Sequence, residues 1–178
     1  MSCGTDTPDE AIDKAIERAV ENKISIFAAT SNSGGNKTRA YPSSRRDGVI
    51  GIHASDGLGN DGGISPTPLE DRDNFSTLGI DIPSRWKKQS IHISGTSYAT
   101  PIAAALAANM LELARCKCDL TEHQQRMLRK YSGIRRILKI LVGEGVKSRG
   151  GYDYIVPEIS EELEEKFTKS LTKIAKEG

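Results

Sequence analysis

A helix that leads directly into a short apolar run is the feature that most constrains the fold of this chain. Residues 7–22 carry apolar side chains at helical spacing, and Thr7, Pro8 and two acidic residues suit a capped helix start. Residues 24–30, ISIFAAT, form an apolar run of strand type. A helix followed by a buried strand is half of a βαβ unit, which predicts a parallel sheet. The apolar stripe of the helix consists of Ala11, Ile12, Ala15, Ile16, Ala19 and Val20.

Further segments continue this alternation. Residues 48–55 form a second β-branched run, and residues 73–84 contain a short strand. Residues 89–94 read as a strand that ends at an alanine-rich helix over 93–111. Strands that alternate with loops and helix starts predict the α/β class.

The C-terminal part of the sequence is mainly helical in pattern. Residues 119–132 and 133–143 predict a helix pair, with Thr121 near the start of the first helix. Residues 151–158 are a short extended piece, and residues 160–178 form an amphipathic helix with an acidic start, a basic end and a solvated charged face over 161–166. The apolar residues at helical spacing in the second helix are Ile134, Ile137, Leu138 and Leu141.

Length, charge and cysteine content narrow the functional classes. A chain of 178 residues with a net charge of +1 fits one domain, and its charge gives no reason to expect nucleic acid or an anionic membrane as a partner. The three cysteines, Cys3, Cys116 and Cys118, form no disulfide framework and suit reduced thiols in an intracellular protein. No apolar run approaches the length of a membrane span, and the first residues do not resemble a signal peptide.

Two loops at predicted strand ends carry chemically useful residues. Asn32 follows the strand at 24–30, and Ser97 follows the strand at 89–94 at the mouth of a helix. A first-turn backbone N–H and an asparagine amide together can stabilise a developing oxyanion. The alternative is that Ser97 is an ordinary helix cap and that the Asn/Gly loop is an ordinary turn. Either motif taken alone favours this simpler interpretation.

The sequence Gly-Thr-Ser-Tyr-Ala-Thr-Pro at 95–101 matches the nucleophile motif of the subtilisin-like serine peptidases, the subtilase or peptidase S8 family. Segments resembling the family's flanking motifs occur in family order: MSCG at 1–4, AATSN at 28–32, AYPSS at 40–44 and NFSTLG at 74–79. The resemblance covers residues 1 to about 115. It implies a three-layer α/β fold with a parallel sheet, incomplete at its N-terminus, in which residues 1–115 are the C-terminal portion of a peptidase domain and residues 116–178 are a helical extension.

The resemblance also implies a role for individual residues. Ser97 would be the nucleophile and Asn32 the oxyanion donor of a serine endopeptidase acting on a peptide or protein substrate, with no cofactor and no metal. The family usually has Ala-Gly-Asn where this chain has Thr30-Ser31-Asn32. The substrate backbone would pair with Ser2, Cys3 and Gly4, and the wall of the S1 pocket would include Ala29, Thr30 and Ser31. We expect residues 56–63, DGLGNDGG, to be a turn-rich loop and not a calcium site.

A catalytic base for Ser97 is the element that the sequence lacks. Such serine chemistry needs a histidine oriented by an aspartate, and in subtilisins both precede the serine. His53 and His92 lie in predicted strands and His123 lies in a helical region, none in the family's His-Gly-Thr context. We therefore expect an N-terminally truncated piece of a longer protease, accompanied in its parent by further domains, with little or no activity alone.

Two other functions remain open at this stage. The first is a non-catalytic interaction module on a subtilase scaffold. The second is another serine hydrolase, although that class would favour Gly-x-Ser-x-Gly over the Gly95-Thr96-Ser97-Tyr98-Ala99 of this chain. The tail at 131–158 resembles that of fungal intracellular subtilisin-like modules, and together with the cysteines it predicts a cytoplasmic location.

Overall fold

A computed structural model describes residues 1–142, 149–156 and 161–177 of the chain. Its strands are β1 (Ile26–Ala29), β2 (Val49–Ser55), β3 (Phe75–Leu78), β4 (Ile82–Trp86), β5 (Gln89–Ile93) and β6 (Asp153–Tyr154). Its α-helices are α1 (Glu10–Glu21), α2 (Thr96–Lys117), α3 (Glu122–Leu128), α4 (Tyr131–Val142) and α5 (Glu161–Glu177). Strands β1, β2, β3 and β6 form one sheet in that order, and every neighbouring pair is parallel. The predicted α/β class is confirmed.

The two faces of this sheet are covered by different helices, which gives three layers. Side chains alternate along each strand, so Ala28 and Val49 point to one face and pack with Ile16 of α1. Phe27 and Ile52 point to the other face, where the apolar side of α2 covers them. Both faces of the central strand are therefore apolar, which explains why the strands read as continuous apolar runs.

Helix α1 starts later than its sequence predicts. Its N-cap is Asp9, whose carboxylate accepts hydrogen bonds from the N–H groups of Ala11 (2.8 Å) and Ile12 (3.0 Å). The prediction that Thr7 caps the helix was wrong, because Asp9 has the extended backbone that a cap requires and lies beside the free N–H groups. Of the predicted stripe only Ile16 is fully buried, since α1 touches the sheet along a narrow line.

The strand before Ser97 does not belong to the parallel sheet. Strands β4 and β5 pair antiparallel with Trp86 opposite Gln89, and Lys87 and Lys88 between them both have positive φ angles, of 46° and 68°. Two successive positive φ values are characteristic of a tight hairpin turn. The expectation that residues 89–94 are a strand is confirmed. The strands of the main sheet whose ends flank Ser97 are instead β1 and β3.

The C-terminal residues complete the fold. Strand β6 extends the main sheet next to β3, and α3, α4 and α5 pack into the same core as α2. Thr121 caps α3 in a capping box with Gln124, which supports the predicted helix start. Among the described residues, no helix is both long and apolar enough to cross a bilayer. The boundary near residue 115, between the portion of the peptidase domain and the helical extension, stays a prediction. The second predicted helix is confirmed as α4, in which Ile134, Ile137, Leu138 and Leu141 are buried.

Candidate active site

Ser97 lies in the first turn of α2 without capping it. The N-cap is Gly95, and no side chain caps this helix. The Ser97 hydroxyl donates instead to the carbonyl of Ser2 at 3.1 Å. The structure therefore rules out the interpretation of Ser97 as a simple N-cap. Its backbone N–H is a first-turn donor that has no carbonyl four residues back inside the helix, so it points out beside the positive end of the helix dipole.

Asn32 is held next to this helix start by Thr96. The backbone N–H of Thr96 donates to Asn32 Oδ1 at 2.8 Å, and the Thr96 hydroxyl lies 3.0 Å from the same oxygen. A backbone N–H can only donate, so the atom it meets must be the amide oxygen and the orientation of the amide is fixed. The Asn32 NH₂ group is thereby left as a donor. A Cβ atom on Gly95 would lie 3.2 Å from Asn32 Nδ2, so a glycine there leaves room for that group.

The residue before Asn32 has an unusual backbone conformation. Ser31 has a φ of 130°, a region that L-residues rarely occupy. Its carbonyl lies 3.3 Å from the Thr96 hydroxyl, and its own hydroxyl accepts from Ser33 N–H at 3.2 Å. These contacts hold the loop in a conformation suited to glycine, which explains why the family motif has glycine at this position.

The first four residues run along the edge of the sheet beside β1. The N-terminal amino group of Met1 donates to Phe27 O, and Ala29 N–H donates to Met1 O at 3.0 Å. Ser2 is exposed and its hydroxyl donates to Ser97 O at 3.0 Å, while Cys3 is an exposed free thiol. A Cβ atom on Gly4 would approach both Ala40 and Tyr41 O to 2.8 Å, so only glycine fits there. Ser2 thus lies beside the start of α2, and Gly4 lies against Ala40 and Tyr41.

The predicted S1 residues differ in what they present to solvent. Ala29 is nearly buried within β1. Thr30 is completely buried, and its hydroxyl donates to Ile52 O at 3.1 Å and lies 3.2 Å from His53 Nδ1. Ser31 is half-buried at the surface. Of these three residues, only Ser31 is partly exposed, and Thr30 has no exposed surface.

No histidine is placed to act as a base for Ser97. All three histidines lie in the described ranges, and none of them is hydrogen-bonded to the Ser97 hydroxyl. His92 on β5 and His123 on α3 are exposed. His53 is fully buried, with its ring 5.0 Å from that of Tyr152 in an edge contact. Burial, followed by the nearby charge of Arg39, holds the pKa of His53 well below 6.5, so its imidazole is neutral. The prediction that His53 lies in a strand is confirmed.

Two residues that position the candidate site, Thr96 and Gly79, were not assigned a role in the sequence analysis. Thr96 orients the Asn32 amide, as described above. Gly79, the first residue after β3, accepts a hydrogen bond from Gly95 N–H at 2.7 Å and so fixes the start of α2 on the sheet. A Cβ atom there would come within 3.0 Å of Gly95 O and closer still to Ala54 and Ala99. The sequence signal that could have identified Gly79 was the glycine at the end of NFSTLG. It was not sufficient, because the packing role of this glycine depends on contacts with residues distant in sequence.

The loop at 56–63 closes on itself. Asp56 Oδ1 accepts from Leu58 N–H at 2.8 Å and Asn60 N–H at 2.9 Å, which confirms a turn. The hydrogen bond from the Asn60 side chain lowers the pKa of Asp56. Over the part of the chain that the structure describes, no three His, Cys, Asp or Glu side chains come together as metal ligands.

Comparison with known proteins identifies the family of this chain. The profile of the Subtilase family, peptidase S8, matches residues 1–145. The subtilisin-like protease het-Q2 of Podospora anserina is 29% identical over 147 residues, which cover 78% of this chain and 40% of that protein. The minor extracellular protease Epr of Bacillus subtilis (strain 168) is 33% identical over 109 residues, which cover 61% of this chain and 16% of that protein.

Solved structures share the fold at low sequence identity. The prenylagaramide maturation protease PagA superposes with a TM-score of 0.66 at 20% identity, over 98% of this chain and 60% of that one. The PatG macrocyclase in complex with peptide gives a TM-score of 0.63 at 17% identity, over 95% of this chain and 50% of that one. This chain spans less than two thirds of each of these proteins. The family profile, the matching relatives and the shared fold agree, and the chain belongs to the Subtilase family of serine-type peptidases.

Proposed function

We propose that this chain carries the nucleophile and the oxyanion hole of a subtilisin-type serine endopeptidase. Ser97 Oγ would attack a substrate peptide carbonyl, and the tetrahedral oxyanion would accept hydrogen bonds from Ser97 N–H and Asn32 NH₂. The observation that carries this proposal is the pair of hydrogen bonds from Thr96 to Asn32 Oδ1, because it aims the NH₂ group before substrate arrives. Such preorganised donors stabilise developing charge without reorganising during the reaction.

The peptide or protein substrate would run past residues 2–4 and reach Ser31 and Ser97. Ser2 O accepts from the Ser97 hydroxyl, so this hydrogen bond must break before the hydroxyl can attack. The missing histidine leaves the hydroxyl proton without an acceptor of suitable basicity. We therefore expect this polypeptide alone to turn over peptides no faster than its Ser97→Ala variant.

A non-catalytic interaction module is the second candidate. The observation that favours it is the hydrogen bond of the Ser97 hydroxyl to a backbone carbonyl, which suits a structural serine. The two candidates differ in what they predict for Ser97 reactivity. An oxyanion hole makes Ser97 the preferred target of a phosphonylating reagent even without a base, because the donors stabilise the phosphoryl oxygen as charge develops.

The test is labelling with a fluorophosphonate probe at a series of pH values, with the modified serine identified by mass spectrometry. We expect slow labelling that prefers Ser97 and that falls at least tenfold in Asn32→Leu. In subtilisin, loss of the oxyanion-hole asparagine lowers kcat about 10²–10³-fold, and this magnitude is taken from that enzyme. Asn36→Leu is the matched control, since Asn36 is an exposed asparagine of the same loop.

The outcomes separate the alternatives. Labelling spread over many serines, or equal in Asn32→Leu and Asn36→Leu, would support the interaction module and overturn the oxyanion role. Rapid labelling of Ser97, with turnover of a fluorogenic peptide, would overturn the expectation of inactivity and leave the nucleophile assignment intact. The cytoplasmic location is likewise proposed, on the basis of the reduced cysteines.

A further inference from the structure

An arginine-lined cavity lies at the opposite edge of the sheet from Ser97. It has a volume of about 130 Å³ and is bordered by Val49 at the start of β2 and Phe75 at the start of β3. Because the strands are parallel, their starts and ends lie at opposite edges, and Gly79 holds α2 at the far end of β3. Five guanidinium groups line the cavity: Arg39, Arg45, Arg46, Arg72 and Arg135.

The charges around this cavity do not balance. Its lining contains two carboxylates, Asp71 and Asp73, so the lining side chains carry a net charge of +3. The net charge stays positive when it also includes the charged residues that lie just outside the lining and form ion pairs with it. Those partners are Asp13 and Asp47 beside Arg45, and Lys139 beside Asp73. An excess of positive charge in a partly enclosed space attracts an anion.

Arg39 is the buried cation of the cavity. Only 7% of Arg39 is exposed, and its Nη2 donates to Asp73 O at 3.2 Å and to Asn74 Oδ1. Its Nε–H is buried without a partner, and its Nη1 makes no hydrogen bond to a described residue. Gly51 leaves space beside it, since a Cβ atom there would lie 3.5 Å from Nη1. Burial, followed by the charge of Arg72, lowers the pKa of Arg39 to about 10, so the group remains charged at neutral pH.

Arg45 adds a second incompletely bonded guanidinium. Its side chain is 19% exposed and forms an ion pair with Asp13, yet its Nε–H is buried without a partner. Arg72 fixes this part of the loop by donating to Ser44 O at 2.7 Å and Arg45 O at 3.0 Å. Buried donors rarely lack a partner, and two of the five guanidinium groups that line the cavity each have one such donor.

We propose that this cavity binds a small tetrahedral oxyanion of the phosphate type, either free or as the terminal group of a small phosphomonoester. Guanidinium groups match phosphate oxygens with paired N–H donors. The volume corresponds to roughly four water molecules, which is enough for a phosphate group. A dianion compensates more of the +3 charge than a monoanionic carboxylate does.

The bound oxyanion would connect three segments that are distant in sequence. They are the loop containing Arg39 and Arg45, the loop containing Arg72, and helix α4, which supplies Arg135. Binding would therefore stabilise the packing of α4 on the amino edge of the sheet. This inference does not depend on the function proposed for Ser97.

Isothermal titration of the whole chain with sodium phosphate, at ionic strength matched with sodium chloride, tests the site. We expect saturable binding that weakens about tenfold or more in Arg135→Gln, because a charge-assisted hydrogen bond contributes about 1.5–3 kcal/mol. Arg85→Gln is the matched control on the exposed β4–β5 hairpin and should leave the affinity unchanged. Asp71→Asn should tighten binding, an effect that damage to the fold would not produce.

Equal affinities in Arg135→Gln and Arg85→Gln, or weaker binding in Asp71→Asn, would overturn the site. Binding of sodium acetate as tightly as sodium phosphate would also overturn the site. Phenyl phosphate identifies the source of the group. Binding tighter than that of inorganic phosphate supports a phosphomonoester ligand, and weaker binding supports the free ion.

Discussion

Acidification should destabilise this protein through His53. The imidazole is fully buried, its Nε2 has no hydrogen-bond partner, and Arg39 lies nearby. Because its pKa in the folded protein is well below 6.5, only the unfolded chain binds a proton as the pH falls below that value. The contribution of neutral His53 to the free energy of unfolding is therefore fully present above pH 6.5. Below pH 6.5 it declines by about 1.4 kcal/mol per pH unit, until the pH reaches the pKa of His53 in the folded protein. At pH 5.0 the loss is at most about 2 kcal/mol.

Urea denaturation at pH 7.5, 6.5, 5.5 and 5.0 measures this loss, with the His53→Phe variant as the reference. Phenylalanine keeps an aromatic ring beside Tyr152 and cannot titrate, and Thr30 keeps its hydrogen bond to Ile52 O. We expect the wild-type free energy of unfolding to fall more than that of His53→Phe between pH 7.5 and 5.0, by at most about 2 kcal/mol. His123→Gln, at an exposed position, should keep the wild-type slope. Parallel pH profiles for wild type and His53→Phe would refute the argument.

Three further predictions concern packing and the site. Gly79→Ala should cost about 1–3 kcal/mol, because its methyl group would lie within 3.0 Å of three neighbouring atoms, whereas Gly57→Ala has open space and should be neutral in urea denaturation. Thr96→Val removes the hydroxyl next to Asn32 Oδ1 but keeps the backbone donor, so Ser97 labelling should fall only about three- to tenfold, less than in Asn32→Leu. Leu171→Ala in α5 leaves a cavity in the common core and should lower the free energy of unfolding by about 2–5 kcal/mol in a single transition. Two separate transitions would show that α5 is not part of that core.

A candidate site could be proposed from the sequence because its parts are compact local motifs. Gly95-Thr96-Ser97 and Thr30-Ser31-Asn32 each occupy three consecutive residues, and their order along the chain resembles one family. The orientation of the Asn32 amide was not predictable, because it depends on Thr96, which lies 64 residues away. The hydrogen bond from Ser97 to Ser2 was not predictable for the same reason, since it joins residues 95 positions apart.

The sequence by itself determined the apolar runs, the helix periodicity and the identity of the candidate nucleophile, all of which depend on neighbours along the chain. Only the tertiary structure decided which strands share a sheet. Residues 89–93 pair with β4 and leave the main sheet, while Asp153–Tyr154 join it beside β3. Strand pairing depends on contacts between distant segments, and so does the cavity that gathers arginines from positions 39 to 135. A pattern of local side chains contains no information on which of them will meet across the fold.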